Sequence, residues 1–219
     1  MKQLLGYAPS LKRALQLFIG WLFIGAIFNV LFTQEQLFFA INSHYTSALN
    51  YIMYGFTLLG DGLSVLIICL MVLMVTKKYQ STPFIINAIT VNYIPGLVTQ
   101  YLKHSFNYNR PLIAIKEVNK IHIESWWPVL HYNSFPSGHT TSAFALLVFL
   151  TVFVFPKNNK IVSLLFALAL LVGISRLYLA AHFFKDIYLG SIVGFGVAIV
   201  VIMAYQLFAP KKYKLYVQG

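Results

Sequence analysis

The chain has 219 residues, of which 59% are hydrophobic and only 10% charged, whereas soluble domains carry about 25% charged residues. That excludes a disordered chain and an ordinary water-soluble domain, and the length fits one domain. The net charge of +11 comes from 16 Lys and Arg against 5 Asp and Glu. The cations stand in small groups between apolar runs, so a membrane accounts for them before a nucleic acid does. The one cysteine, Cys69, lies inside an apolar run. It has no internal disulfide partner, no Cys cluster is present to hold zinc, and it reads as a small buried residue.

A bilayer core about 30 Å thick takes about 20 mostly apolar residues per helix. Six stretches qualify: about Ala14 to Phe32, Tyr54 to Val75, Phe84 to Tyr101, Thr140 to Phe155, Ile161 to Arg176 and Ile187 to Phe208. The first is too long for a signal-peptide core and no small-x-small cleavage site follows it, so it reads as an uncleaved anchor. The second carries Asp61 near its start. The third contains Pro95, a kink signal. The fourth stops at Pro156; it and the fifth are short, which suggests that adjoining polar motifs belong to the same helices. The fold class is all-α, a polytopic membrane protein with six transmembrane helices.

Charge sets the expected orientation. Lys2, Lys12, Arg13, Lys77, Lys78, Lys157, Lys160, Lys211, Lys212 and Lys214 fall on one side of such a bundle, with no acid among them. Lys103, Arg110, Lys116, Lys120, Arg176 and Lys185 fall on the other, with all five acids: Glu35, Asp61, Glu117, Glu124 and Asp186. The positive-inside rule then puts both termini in the cytoplasm and the acidic side outward. Most of the positive charge is therefore a topology signal. The long polar stretch from His104 to Ser137 lies outward and contains Trp126, Trp127 and Pro128. Its tryptophans read either as an interfacial belt or as a lipid-contacting lid.

Three outward clusters carry chemistry: Lys103-x6-Arg110-Pro111, Pro136-Ser137-Gly138-His139, and Ser175-Arg176-x5-His182-x3-Asp186. Charged side chains at a membrane edge are costly and mark functional sites, although a single one serves equally as a snorkelling anchor. Ser137 is a natural N-cap of the fourth helix, whose free N–H groups and dipole suit an anion. Gly138 lets the anion approach the backbone, and His139 falls on the first turn. His182 and Asp186, four apart, share a face on a helix, and a carboxylate on one imidazole nitrogen leaves the other as a nucleophile. Arg176 ends the fifth helix. Six residues separate it from His182, so a break between them is expected if both face one pocket. Arg110 offers a planar fork to phosphate and Lys103 a point charge. Each cluster taken alone also reads as capping, an interhelical tie or an anchor.

Together these eleven positions match the three motifs K-x6-RP, PSGH and SR-x5-H-x3-D without a departure, and the chain resembles the type 2 phosphatidic acid phosphatase (PAP2) family, in its bacterial membrane lipid phosphatase branch. The resemblance covers about Asp61 to Phe208 and implies one PAP2-type core bundle over residues 1–219. It implies that His182 is the nucleophile that becomes a phosphohistidine and that Asp186 orients it. His139 would protonate the leaving oxygen and then activate water. Lys103, Arg110, Ser137, Gly138 and Arg176 would cradle the phosphate. The cations take the place of a metal, and no carboxylate cluster suits Mg²⁺, so no cofactor and no metal are expected. Soluble acid phosphatases and vanadium haloperoxidases share the motifs; the hydrophobic spans argue against both.

The expected partners are the bilayer and a phosphorylated membrane lipid, with no nucleic acid. Candidate substrates are phosphatidylglycerol phosphate, phosphatidic acid, undecaprenyl diphosphate and a lipid A phosphate. A compact chain without an N-x-Ser/Thr sequon suggests a bacterial enzyme of the inner membrane with a periplasmic active site. A lipid-to-lipid phosphotransferase would use the same site. A six-helix transporter would spread its charges across the membrane, whereas these gather on one face. For Asp61 two readings stand, a partner for a site cation or a helix cap. His44, His104, His122 and His131 read as surface or structural, with His104 the most notable because it adjoins Lys103.

Overall fold

A computed structural model describes residues 1–75 and 81–210. Among these residues there are helices and no strands: α1 (Lys2–Tyr7), α2 (Ser10–Leu31), α3 (Gln34–Asn42), α4 (Ser47–Leu59), α5 (Gly62–Val75), α6 (Thr82–Phe106), the short α7 (Pro111–Ala114), α8 (Gly138–Phe153), α9 (Asn159–Tyr178) and α10 (Phe184–Phe208). Three of these, α2, α9 and α10, are long and apolar enough to cross a membrane. The pair α4–α5 makes a fourth if counted as one span bent by 63°. By the same measure α6 is not included, and α8 is a shorter apolar helix.

The second predicted stretch thus differs from expectation. It starts earlier, at Ser47, and breaks at Gly60–Asp61, so that Asp61 lies at the bend and not near the start of a span. The third runs on through Pro95 to Phe106 as one helix. The fifth lengthens as anticipated, α9 running from Asn159 to Tyr178; the fourth takes in Gly138 and His139 as anticipated but ends at Phe153, so α8 keeps 16 residues. Of the orientation cations, Lys77, Lys78, Lys211, Lys212 and Lys214 lie outside the described residues.

Helix ends follow local chemistry. Thr33 and Gln36 form a reciprocal capping box at α3, with Thr33 N donating to Gln36 Oε1 at 2.8 Å. Thr46 caps α4, and Asn158 caps α9 through a 3.1 Å bond from Ile161 N. The centre of the bundle is α8, buried at 13 of its 16 residues. Phe18 of α2 stacks on Phe195 of α10 at 4.1 Å and meets Phe144 of α8 at 6.0 Å with the rings tilted by 57°.

Polar ties add specificity between helices, each worth about 0.6–1.7 kcal/mol in a membrane. Thr99 bonds Thr141 at 3.0 Å, and Trp21 Nε1 donates to Ser191 at 2.8 Å. Two glycines let α10 press on α8. A Cβ at Gly190 would lie 2.6 Å from the Ser137 carbonyl oxygen, and one at Gly194 would strike the Thr141 carbonyl. This Gly-x3-Gly spacing carries a small-residue packing face that sequence reasoning did not single out.

The bundle has two distinct ends. At one, Ser10 Oγ donates to the Phe155 carbonyl at 2.8 Å, which joins the start of α2 to the α8–α9 turn. At the other, the Lys185 amide donates to Gln34 at 2.9 Å, which joins α3 to the start of α10. The motif clusters all lie at this second end.

Candidate active site

The first turn of α8 forms the floor. Ser137 is fully buried and caps the helix, accepting from Thr140 N at 3.4 Å and Thr140 Oγ1 at 3.0 Å. Its own amide donates to the Asp186 carbonyl at 2.9 Å, so α10 holds the cap in place. The Gly190 contact braces the same turn. A Cβ at Gly138 would meet Lys103 Cε at 4.0 Å, which places the Lys103 side chain over the start of α8.

The expected break between Arg176 and His182 is present. The chain leaves α9 at Tyr178, turns through Ala180 at φ 52° and enters α10 at Phe184. The amides of Ala181 and His182 both donate to the Arg176 carbonyl, at 3.0 and 3.1 Å, which folds His182 back beside Arg176. His182 therefore stands ahead of α10 and not on it. The four-residue spacing works through the helix entrance: Phe183 N donates to Asp186 Oδ2 at 3.0 Å, and His182 Nδ1 lies 3.3 Å from that oxygen.

Ser134 joins this pair, and the motif reading missed it. Its buried hydroxyl donates to Asp186 Oδ2 and lies 3.4 Å from His182 Nδ1. Only its position two residues before Pro136 hinted at it. Nδ1 is thus engaged, and Nε2 faces Arg110 Nη1 at 3.5 Å. Burial, followed by the charges of Arg110, Arg176 and Lys103, drives the His182 pKa well below the ordinary 6.5. The ring is neutral near pH 7.

The three cations are buried and held largely by neutral groups. Lys103 Nζ donates to the Asn133 carbonyl at 2.6 Å. Arg110 donates to the Tyr132 carbonyl at 2.8 Å and the Ala181 carbonyl at 2.9 Å. Burial lowers the Arg110 pKa, with Asp186 acting in the opposite direction. Arg176, only 2% exposed, donates Nη1 to Thr57 at 2.7 Å. Among the described residues its Nε has no hydrogen-bond partner. Trp127 covers this guanidinium at 5.4 Å, and Trp126 stacks on Tyr51 at 5.9 Å. The tryptophan loop therefore docks onto α4 and the site. Asn42 ties it further, exchanging bonds of 2.8 and 2.9 Å with the His122 backbone.

His139 has a side chain 31% exposed, and its Nε2 lies 3.9 Å from Asp61 Oδ2, while Asp61 Oδ1 accepts from Leu63 N at 2.9 Å. Asp61 therefore caps α5 and also faces a site residue. Of the other histidines, His122 stacks on Tyr45 at 3.7 Å away from the cradle, and His104 is exposed on the last turn of α6. His131 contributes its carbonyl, which accepts from Arg110 N at 2.8 Å. Among the described residues no group of three or more His, Cys, Asp or Glu could hold a metal.

An apolar groove of about 90 Å³ opens beside the site between α4, α5, α8 and α9, lined by residues such as Leu59, Ile68, Leu147, Leu165 and Val172.

A helical membrane bundle that gathers three buried cations, a helix N-terminus and a His–Asp pair at one end has the chemistry to hold an anion beside an imidazole. The PAP2 superfamily model matches residues 84–209, and the chain belongs to that family. Lipid phosphate phosphatase 1 of Arabidopsis thaliana is 37% identical over 93 residues, a stretch that covers 37% of this chain and 28% of the plant protein. The chain thus matches little more than a quarter of the length of that relative. The crystal structure of Aquifex aeolicus LpxE superposes with a TM-score of 0.64 at 29% identity, covering 77% of this chain and 93% of that one. The transmembrane PAP2-type phosphatidylglycerolphosphate phosphatase of Bacillus subtilis shares the fold, with a TM-score of 0.61 at 24% identity over 90% of this chain and 98% of that one.

Proposed function

We propose that the chain is an integral membrane lipid phosphatase that hydrolyses a phosphate monoester or diphosphate on a membrane lipid through a phosphohistidine at His182. The carrying observation is the position of His182: Nδ1 is engaged by Asp186 and Ser134, and Nε2 stands beside Arg110. In the first step Nε2 attacks phosphorus, the bond to the lipid oxygen breaks, and His139 gives that oxygen its proton. In the second, water attacks phosphorus, gives a proton to His139 and frees His182 with inorganic phosphate. Lys103, Arg110, Arg176, Ser137 and the Gly138 amide hold the phosphoryl oxygens, and charge stabilisation of this kind replaces a metal.

The groove supports a lipid substrate, because it is walled by apolar residues and reaches Val172, one helical turn before Arg176 on α9. Phosphatidylglycerol phosphate, phosphatidic acid, undecaprenyl diphosphate and a lipid A phosphate all fit this chemistry. We further propose one domain over residues 1–219, with α6 and α8 completing six spans in the inner membrane. Both termini would be cytoplasmic and the site would face the periplasm, as the distribution of cations supports.

The test is release of inorganic phosphate from these four lipids in mixed micelles with excess EDTA. Release from at least one is expected, abolished in His182→Ala and lowered roughly 10²–10³-fold in Arg176→Ala. Wild-type turnover by folded His182→Ala would overturn the nucleophile, and loss in EDTA restored by Mg²⁺ would overturn the metal-free scheme. Transfer of phosphate to an added lipid without release would identify a phosphotransferase.

A further inference from the structure

Asp61 occupies the 63° break between α4 and α5. One carboxylate oxygen is committed to the Leu63 amide at 2.9 Å, which caps α5. The other faces α8, 3.9 Å from His139 Nε2. The neighbouring residue sets this approach. A Cβ on Gly60 would come within 2.6 Å of the His139 carbonyl oxygen and 2.5 Å of Val172, so only glycine lets the bend press so close to the first turn of α8.

Charge explains why a carboxylate belongs there. Burial first, and then the charges of Arg176 of α9, His182 of the α9–α10 turn, Lys103 of α6 and Arg110 of the outward loop, bear on His139. Asp186 is occupied on the far side by His182, Ser134 and the Phe183 amide. An imidazole that must carry a proton among three cations needs an anion of its own, and like charges disfavour that proton strongly. Among the described residues Asp61 is the carboxylate paired with His139. At 3.9 Å it faces the ring within reach of a charge interaction but beyond direct hydrogen-bond length, which leaves a ring proton free for a leaving oxygen, and its charge also bears on Arg176.

We propose that Asp61 is a positioning residue for His139, holding it protonated and oriented so that it can act as the acid of the cleavage step. This rests on the reading of His139 as that acid. The site then has two His–Asp pairs of opposite duty: Asp186 fixes a neutral nucleophile, and Asp61 sustains a cationic proton donor.

Asp61→Asn separates charge from capping, because an asparagine oxygen still accepts from the Leu63 amide. Turnover is measured on short-chain phosphatidic acid, whose alkoxide needs a proton to leave, and on p-nitrophenyl phosphate, whose phenolate does not. The variant is expected to lose roughly ten- to hundredfold in kcat/KM on the lipid, within the usual reach of general acid catalysis. Its kcat/KM on the aryl ester, which covers only the steps up to the phosphohistidine and not the later water step that uses His139 as base, is expected to change little. The alkaline limb of the lipid profile should move to lower pH, and Asp61→Glu should recover part of the loss. Independently of turnover, the His139 ring is titrated by NMR in histidine-labelled protein, with His139→Gln for assignment. Its midpoint is expected about one pH unit lower in Asp61→Asn. Equal losses on both substrates, or an unmoved His139 midpoint, overturn the proposal. A wild type that cleaves neither substrate sinks the phosphatase reading instead, and the titration alone then decides the pairing.

Discussion

Ser134 shows how much of the site depends on a residue outside the motifs. Its hydroxyl reaches Asp186 Oδ2 and His182 Nδ1 from a fully buried position. A hydrogen bond to a charged group is worth about 1.5–3 kcal/mol, so Ser134→Ala is expected to lower kcat roughly ten- to hundredfold with KM little changed. Steady-state kinetics on whichever lipid is cleaved checks this, and an unaltered kcat would reduce Ser134 to a packing role. The motif residues were legible because charged and histidine side chains at fixed spacings stand out in an apolar chain. It did not make Ser134, Thr57 or Asn42 legible, since each acts through one hydroxyl or amide whose partner lies 52, 119 or 80 positions away. His182 illustrates the limit in another way. The spacing to Asp186 implied a shared helix face, whereas the pair meets at a helix entrance where the backbone has already turned.

At the scale of elements, α10 is the brace of the site. It carries Asp186 on its first turn, where a carboxylate suits the dipole, and its glycines admit the Ser137 and Thr141 carbonyls. Gly190→Ala must displace the α8 cap or α10 itself, at about 1–3 kcal/mol for overpacking. A lower Tm in detergent is expected, together with reduced turnover, because the displaced carbonyl belongs to the cap. Unchanged stability would mean that the helices separate freely at this crossing. The helices themselves were largely readable from hydropathy, and their polar starts from caps. The bend at Gly60–Asp61 was not, because the run on both sides is apolar and a glycine–aspartate–glycine sequence fits a span start equally well.

For the whole molecule, the two ends of the bundle make the orientation measurable. Cys69 is buried, so a single introduced thiol reports its own position. Ser125→Cys, in the exposed tryptophan loop, should react with a membrane-impermeant maleimide on intact cells, and Lys157→Cys, in the α8–α9 turn, only after permeabilisation. The reverse pattern would invert the proposed topology.

The cradle's reliance on main-chain oxygens has a consequence for kinship. Lys103 and Arg110 rest on the carbonyls of Asn133, Tyr132 and Ala181, and every amino acid has a carbonyl. Tyr132, a residue 60% exposed, is thus free to change its letter while its place in the count is not. Asn133, at φ 55°, is the exception, since few residues tolerate that backbone. Descent along this segment is therefore expected to be recorded in gap lengths more than in spelling, so that two cousins could differ at most characters here yet keep the same ruler.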